Sequence, residues 1–385
     1  MNNKIKFENV PFNIPYIFEK DFKKNFSELR KKDKYSSVGY FSSKCEEWLK
    51  KNINAKSVLL TNSCTSALEM CALLLNLKKD DEVIMPSFTF VSTANAFVLR
   101  GAKPVFVDID NDNLNIDSNE IEKAITKKTK AIVVVHYAGI SCDIKRIKTI
   151  AKKNKIFLIE DAAHSILSYY QKKPLGSFGD LSTFSFHDTK NIHCGEGGAL
   201  IINNKSLIEK SKIIRDKGTN RDKFIKNVVK KYTWVDVGSS YGLSEINACF
   251  LYSQLVNSKR IITERVRIFK NYYKIFSNFK DFQLPKLSSK KKINGHIFYI
   301  IVKNNRKSFM DFLKKNGIQT TFHYVPLHNS PAGKKYAKGK NLKNTEKLAK
   351  SLVRLPIFYD KKYFGKDYFN KINRLVSIYL KNINK

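Results

Sequence analysis

The sequence predicts an α/β protein: a mostly parallel sheet sandwiched by helices, followed by a smaller C-terminal α+β domain. Three observations carry this. Between residues 57 and 202, short Val/Ile-rich runs alternate with helix-forming stretches, the pattern of a parallel sheet covered on both faces. The strand-like runs are nearly continuous in apolar residues, as in AIVVV and IFLIE, so they read as buried on both sides. Past residue 255 the pattern changes to strand, helix, strand and terminal helix. We therefore expect a large domain over 1–255, with an N-terminal arm, and a small one over 256–385. No G-x-G-x-x-G run is present, so a dinucleotide fold has little support.

The elements follow in order. After a polar arm, a helix is expected over 42–51, with Ser42 as its N-cap and Cys45, Trp48 and Leu49 on one face. A strand over 57–60 turns through Thr61-Asn62-Ser63-Cys64-Thr65 into a helix carrying Leu68, Met70, Cys71 and Leu74. Such a start either binds phosphate through free N–H groups or shows ordinary Ser/Thr capping. Further strands are expected over 82–85, 104–107, 131–135, 156–160, 181–186 and 199–202, with helices over 88–100, 118–125 and 144–153. A helix from about residue 244 places Ile246, Cys249, Phe250 and Leu255 on an apolar side. A long helix, ITERVRIFKNYYKIF, leads into the last part: strand HIFYIIV, helix SFMDFLKKNG, strand QTTFHYV, a Pro/His/Gly loop and a helical end.

Composition narrows the function. The 385 residues are 42% hydrophobic and 12% aromatic, as in folded globular chains. The net charge of +37 raises nucleic acid as a partner. The lysines, however, are scattered through nearly every segment, without an aromatic-interleaved basic stripe or zinc-knuckle spacing. Attraction of an anionic small substrate is the simpler use of that field. Six cysteines without a C-x-x-C pair point to a reducing cytoplasm, with neither a metal site nor a disulfide framework. The N-terminus MNNKIKFENVPFN has no apolar leader, and no aliphatic run is long enough to span a bilayer, so a cytoplasmic protein is expected.

The chemistry centres on residues 182–200, STFSFHDTKNIHCGEGGAL. Lys190 sits on a loop between two strands, beside glycines that let backbone approach a ligand. That placement suits a Schiff-base amine, although alone it reads as one more surface lysine. Asp161 ends the apolar run IFLIED. It is either a turn former or the carboxylate that keeps a pyridine nitrogen protonated, making the ring an electron sink. Ser185 offers a hydroxyl just before the lysine loop, and Phe90 an aromatic face for a flat ring. Lysine, aspartate, a phosphate cup at 63–66 and an aromatic lid are together what pyridoxal 5′-phosphate requires.

With these residues in view, the chain resembles the sugar-nucleotide aminotransferases of the DegT/StrS type, within the fold-type I PLP-dependent enzymes. The resemblance runs through TNSCTSALEM, DEVIMPSFTFVSTANAFVLRGAKPVFVDID, VHYAG, IEDAAH, FSFHDTKNIHCGEGG and HYVPLH. It is nearest to the branch that makes dTDP-4-amino-4,6-dideoxygalactose. It implies that Lys190 bonds to the cofactor and carries the proton, and that Asp161 pairs with the ring nitrogen. His164 would lie at the cofactor hydroxyl, Phe90 on the ring, and Thr65, Ser66 and Ser185 at the phosphate. It further implies a homodimer with shared active sites, in which Ser240 reaches the partner's phosphate. Many relatives carry Asn at that position and Arg two residues on, where this chain has Ser240 and Gly242. Arg221 and His323 are the candidates for substrate contact; Tyr324 and His328 could instead order loops. Relatives that dehydrate have His in place of the lysine, so Lys190 favours transamination. The implied substrates are L-glutamate and a dTDP-keto-deoxysugar, with neither nucleic acid nor membrane as partner. The implied pathway supplies a surface polysaccharide of the enterobacterial common antigen or O-antigen type. The rivals are a C3 or C4-gluco aminotransferase and a non-catalytic sensor on the same fold.

Overall fold

The computed structural model describes residues 9–339, 341–360 and 362–383. The first eight residues, part of the segment read as lacking an apolar leader, lie outside these. The first part of the chain runs α1 (Glu19–Arg30), α2 (Tyr40–Ile53), β1 (Ser57–Thr61), α3 (Cys64–Leu74), β2 (Glu82–Pro86), α4 (Val91–Val98) and β3 (Lys103–Val107). Next come α5 (Ser118–Ala124), β4 (Thr129–Val135), α6 (Ile144–Lys153), β5 (Phe157–Asp161), the short hairpin β6 (Tyr169–Tyr170) and β7 (Lys173–Pro174), β8 (Leu181–Ser185) and β9 (Gly198–Ile202). Helices α7 (Ile208–Arg215), α8 (Arg221–Ile225), α9 (Glu245–Val256) and α10 (Ser258–Phe276) lead to β10 (Phe282–Gln283), β11 (Lys291–Lys292) and β12 (Phe298–Val302). The chain closes with α11 (Arg306–Lys315), α12 (Pro331–Tyr336), α13 (Lys343–Ser351), β13 (Leu352–Leu355) and α14 (Lys366–Ile383).

Seven strands form the main sheet in the order β1-β9-β8-β5-β4-β2-β3. All neighbours pair in parallel except β9, which runs antiparallel to both β8 and β1. Strand β4 shows why the apolar runs are continuous. Ala131 and Val133 pack into the core beneath α3 and α4, while Ile132 and Val134 pack with α5 and α6 on the other face. Each such fully buried branched side chain contributes about 1.5–3 kcal/mol of transfer free energy. A second, antiparallel sheet, β10-β12-β13, has its own core with α10, α11 and α14, centred on Tyr272, Phe298 and Phe309. The segment holding α12 returns to the edge of the main sheet, where Phe106 N–H donates to the Lys338 carbonyl at 2.8 Å.

Four expectations need correction. Helix α2 starts at Tyr40, and Ser42 lies inside it and is not its cap. The cap is a carboxylate from a distant helix: Glu245 accepts the N–H groups of Gly39, Phe41 and Ser42 at 3.1, 2.7 and 2.9 Å. A side chain at Gly39 would strike that carboxylate at 2.6 Å, which is why glycine stands there. Helix α4 begins at Val91, three residues later than read, because Phe90 is its extended N-cap residue. On α9, Cys249 and Leu255 are buried but Ile246 faces outward. The run QTTFHYV makes a single bridge, Thr321 to Arg354, and no strand. Phe322 and Val325 are both exposed, so no alternating face is buried there.

Candidate active site

The carboxyl ends of the parallel strands open into a cavity of about 390 Å³ between the main sheet and the C-terminal segments. This is where open α/β sheets take their ligands. Lys190, Asp161, His164, Thr65, Ser185 and Phe90 all line it. The chain thus brings together, from four separate segments, most of the residues singled out by the sequence.

Asp161 is the last residue of β5, so it projects at the sheet's edge. It is buried; one oxygen accepts from Thr93 Oγ1 at 2.7 Å and the other from the Ala163 N–H at 3.2 Å. Burial pushes its carboxyl above the ordinary range, against the pull of Thr93, Ala163 and the Lys190 charge. Lys190 follows β8 on a short turn, with its N–H bonded to the His187 carbonyl at 2.9 Å. Burial of its amine lowers the pKa from 10.5 to about 8, and nearby Cys64 and Asp161 oppose that shift. The shift favours the neutral, nucleophilic form of the amine over that of an ordinary lysine.

Helix α3 supplies the cup. Ser63 is its N-cap, and its Oγ accepts from the Ser66 N–H at 3.0 Å. Capping leaves room for anion binding here: one N–H goes to Ser63, and Cys64 and Thr65 of the same turn line the cavity. Ser66 itself is turned to Ser63, with the two hydroxyls 3.0 Å apart, and is not part of the cavity lining. The G-E-G-G glycines divide their work. Gly197 lines the cavity, whereas Gly198 packs against α3, where a Cβ would meet the Ser63 carbonyl carbon at 2.4 Å. The expected closeness of backbone to ligand is here mainly closeness of β9 to the cup.

Phe90, 58% exposed, stands at the cavity mouth. His164 is buried, and its Nδ1 has no partner among the described residues. Burial, then the Lys190 charge, holds it well below the ordinary histidine range, so it is neutral. An orphaned buried nitrogen beside the lysine fits a cofactor hydroxyl, and the helix start fits its phosphate. Among the described residues no group of three His, Cys, Asp or Glu side chains could hold a metal ion.

Two sequence candidates lie elsewhere. Ser240 is exposed, outside this chain's cavity, with its carbonyl accepting from Asn62 Nδ2 at 3.4 Å. Arg221 opens α8, also outside the cavity, 4.0 Å from Asp216. His323 does line the cavity, but both its nitrogens are engaged, by Tyr137 Oη and Arg354 Nη1, each at 3.1 Å. The buried His328 bonds Ser87 and Glu346, at 2.7 and 3.1 Å, and orders its loop. Sequence reasoning missed Thr93, Arg265, His296 and Arg354, which complete the lining. A lone arginine in the apolar run LVRLPIF was the one available signal, since an unpaired cation is seldom buried without a purpose.

The profile of the DegT/DnrJ/EryC1/StrS aminotransferase family matches residues 17–362. The chain belongs to that family. It is 36% identical over 356 residues to the uncharacterised protein MJ1066 of Methanocaldococcus jannaschii, covering 89% of this chain and 91% of the relative. Among solved structures, Helicobacter pylori PseC, an aminotransferase involved in the biosynthesis of pseudoaminic acid, is 29% identical with a TM-score of 0.88. The match covers 97% of this chain and 100% of that one. The PLP-form of the sugar aminotransferase Spr1654 from Streptococcus pneumoniae superposes with a TM-score of 0.86 at 25% identity, covering 97% and 99% of the two chains. The fold is accordingly that of fold-type I PLP aminotransferases.

Proposed function

We propose that the chain moves the amino group of L-glutamate to C4 of dTDP-4-keto-6-deoxy-D-glucose. The product, dTDP-4-amino-4,6-dideoxy-D-galactose, would feed a surface polysaccharide of the enterobacterial common antigen or O-antigen type, from the cytoplasm. The observation that carries the transaminase reading is the convergence of Lys190 and Asp161 on one cavity beside a helix start free to hold a phosphate. The sugar reading is supported by the segment resemblance and by the family's sugar aminotransferases.

Pyridoxal 5′-phosphate is the cofactor, and when bound it supplies the electron sink for the substrate carbanion. The residues do the rest. Lys190 is the amine that would hold the cofactor and move a proton at the substrate carbon. Asp161, steadied by Thr93, would pair its charge with the ring nitrogen. His164 Nδ1 would bond the ring hydroxyl, and Phe90 would lie against the ring. Thr65 and Ser185, with the α3 donors that Ser63 and Ser66 order, would hold the phosphate. Domains 1–255 and 256–385 provide the two walls.

A second copy is proposed to complete the site with Ser240. What supports this is the exposed apolar stretch just before it, with Phe224, Ile225, Val228 and Trp234 outward, Trp234 being 76% exposed. Four large apolar side chains left exposed within one segment fit a surface that a second copy covers.

The test is NMR of the product formed from glutamate and dTDP-4-keto-6-deoxy-D-glucose. An axial amine at C4 is expected. An equatorial or C3 amine overturns the substrate assignment, and no turnover by cofactor-loaded protein would favour the sensor reading.

A further inference from the structure

The turn that carries Lys190 is tied to the rest of the molecule by the side chain of the next residue. Asn191 is buried, and both ends of its amide are used. Its Nδ2 donates to the Asn294 carbonyl at 3.0 Å, and its Oδ1 lies 2.8 Å from His296 Nδ1. Both partners belong to one three-residue strap, Asn294-Gly295-His296, which leads into β12. The wholly buried Asn294 side chain continues the connection. Its Nδ2 donates to the carbonyls of His164 and Ile166 at 2.8 and 2.9 Å, and its Oδ1 accepts the His296 N–H at 3.1 Å. Two amides in series thus join the turn of Lys190 to the turn of His164.

The strap has little room to absorb a change at either end. Arg265 holds it from α10, donating from Nε and Nη2 to the carbonyls of Gly295 and His296 at 3.1 and 2.8 Å. Gly295 has a φ of +63°, and a Cβ there would meet the Arg265 carbonyl carbon at 2.6 Å. Asn294 Oδ1 fills the space that a Cβ at Gly139 would take. The hydrogen bonds also admit one proton arrangement. A carbonyl only accepts, so the Asn191 nitrogen faces Asn294 and its oxygen faces His296. His296 Nδ1 therefore carries the ring proton. Burial, with the Lys190, Arg265 and Arg354 charges, holds that ring well below the ordinary histidine range, so it is neutral.

A buried asparagine commonly does no more than satisfy a turn. Here both its bonds go to the strap that also holds the His164 turn. Pyridoxal 5′-phosphate carries its aldehyde and its hydroxyl on neighbouring ring carbons, so the protein groups that meet them need a fixed separation. We propose that Asn191 is a positioning residue: through the 294–296 strap it sets the separation of the Lys190 amine from His164 Nδ1, so that both substituents of one ring are met together. This rests on the roles given to Lys190 and His164 in the proposed function and adds the element that registers one against the other. Asn191 does not line the cavity, so it acts through its neighbours.

The experiment titrates the apoprotein with pyridoxal 5′-phosphate and with its 3-deoxy analogue, which lacks the ring hydroxyl, and follows absorbance. Wild type, Asn191→Ala and Asn191→Thr are compared, with the melting temperature of each apoprotein alongside. Wild type should bind the cofactor about tenfold more tightly than the analogue, the worth of one hydrogen bond. In Asn191→Ala the affinity for the cofactor should fall about tenfold and that for the analogue less than about threefold, so the preference shrinks to about threefold or less. Asn191→Thr, with a hydroxyl in place of the amide, should fall between and melt near wild type, which separates register from folding. Wild-type preference retained in both variants overturns the proposal, as does an equal loss for cofactor and analogue, which would make Asn191 structural only. Wild type that binds the two equally overturns the His164 role in the proposed function and this inference with it.

Discussion

Strand β5 ends in two buried acids that face opposite ways, and the contrast between them separates scaffold from chemistry. Glu160 is enclosed by partners: His136 Nε2 at 2.9 Å, the N–H groups of Gly176, Phe178 and Gly179 at 2.9, 2.7 and 2.7 Å, and Ser182 Oγ at 3.2 Å. Burial pushes it up, but the His136 bond and charge and the backbone donors outweigh that and hold its carboxyl below the ordinary range. Asp161, next in sequence, has two protein donors and sits above the ordinary range. The satisfied acid locks the β5–β8 connection in place. The under-satisfied one faces the cavity, where the proposed function pairs it with the cofactor's ring nitrogen.

Exchanging each acid for its amide tests that division. Asp161→Asn should lower kcat about 100-fold or more, the scale of losing one charged stabiliser in a closed site, while the melting temperature stays near wild type. Glu160→Gln should do the reverse. Its amide nitrogen would face donors, at a cost of about 3 kcal/mol in stability, and the folded fraction should keep most of its turnover. Chemical denaturation alongside steady-state kinetics reads both. Equal loss of activity in the two variants would break the contrast.

A smaller effect sharpens it. In the proposed function, covalent attachment of pyridoxal 5′-phosphate to the apoprotein would need the neutral Lys190 amine. The attachment rate should climb with pH and level off above about 8, where an ordinary lysine would keep climbing toward about 10.4. Because the Asp161 charge raises that pKa, Asp161→Asn should shift the midpoint lower, and Glu160→Gln should leave it in place. Stopped-flow absorbance against pH gives all three midpoints.

How much of this was legible in the sequence follows from how each part is built. The parallel strands were readable because both faces of each are covered, so Val and Ile run without interruption. The meeting of Lys190 and Asp161 at one cavity was readable because Asp161 ends the apolar run of β5 and Lys190 follows β8 on a short polar turn. The α2 cap was not readable: Glu245 reaches it from α9, 206 residues past Gly39 in the chain, and no local pattern records that. Arg354, His323 and Phe12 likewise form a unit only through packing, with the guanidinium 4.9 Å over the Phe12 ring, since Phe12 comes from the arm and Arg354 from β13. The QTTFHYV run fails as a strand for a related reason. Its composition favours one, but its place beside β13 offers a single bridge and no buried face.

The most direct test of the account is borohydride reduction of the holoenzyme followed by peptide mapping. The chain holds 60 lysines, so surface amines offer many competitors for the cofactor aldehyde. The account predicts one stoichiometric phosphopyridoxyl group, on the peptide containing Lys190. A label on another lysine, or one spread across surface lysines, would contradict it.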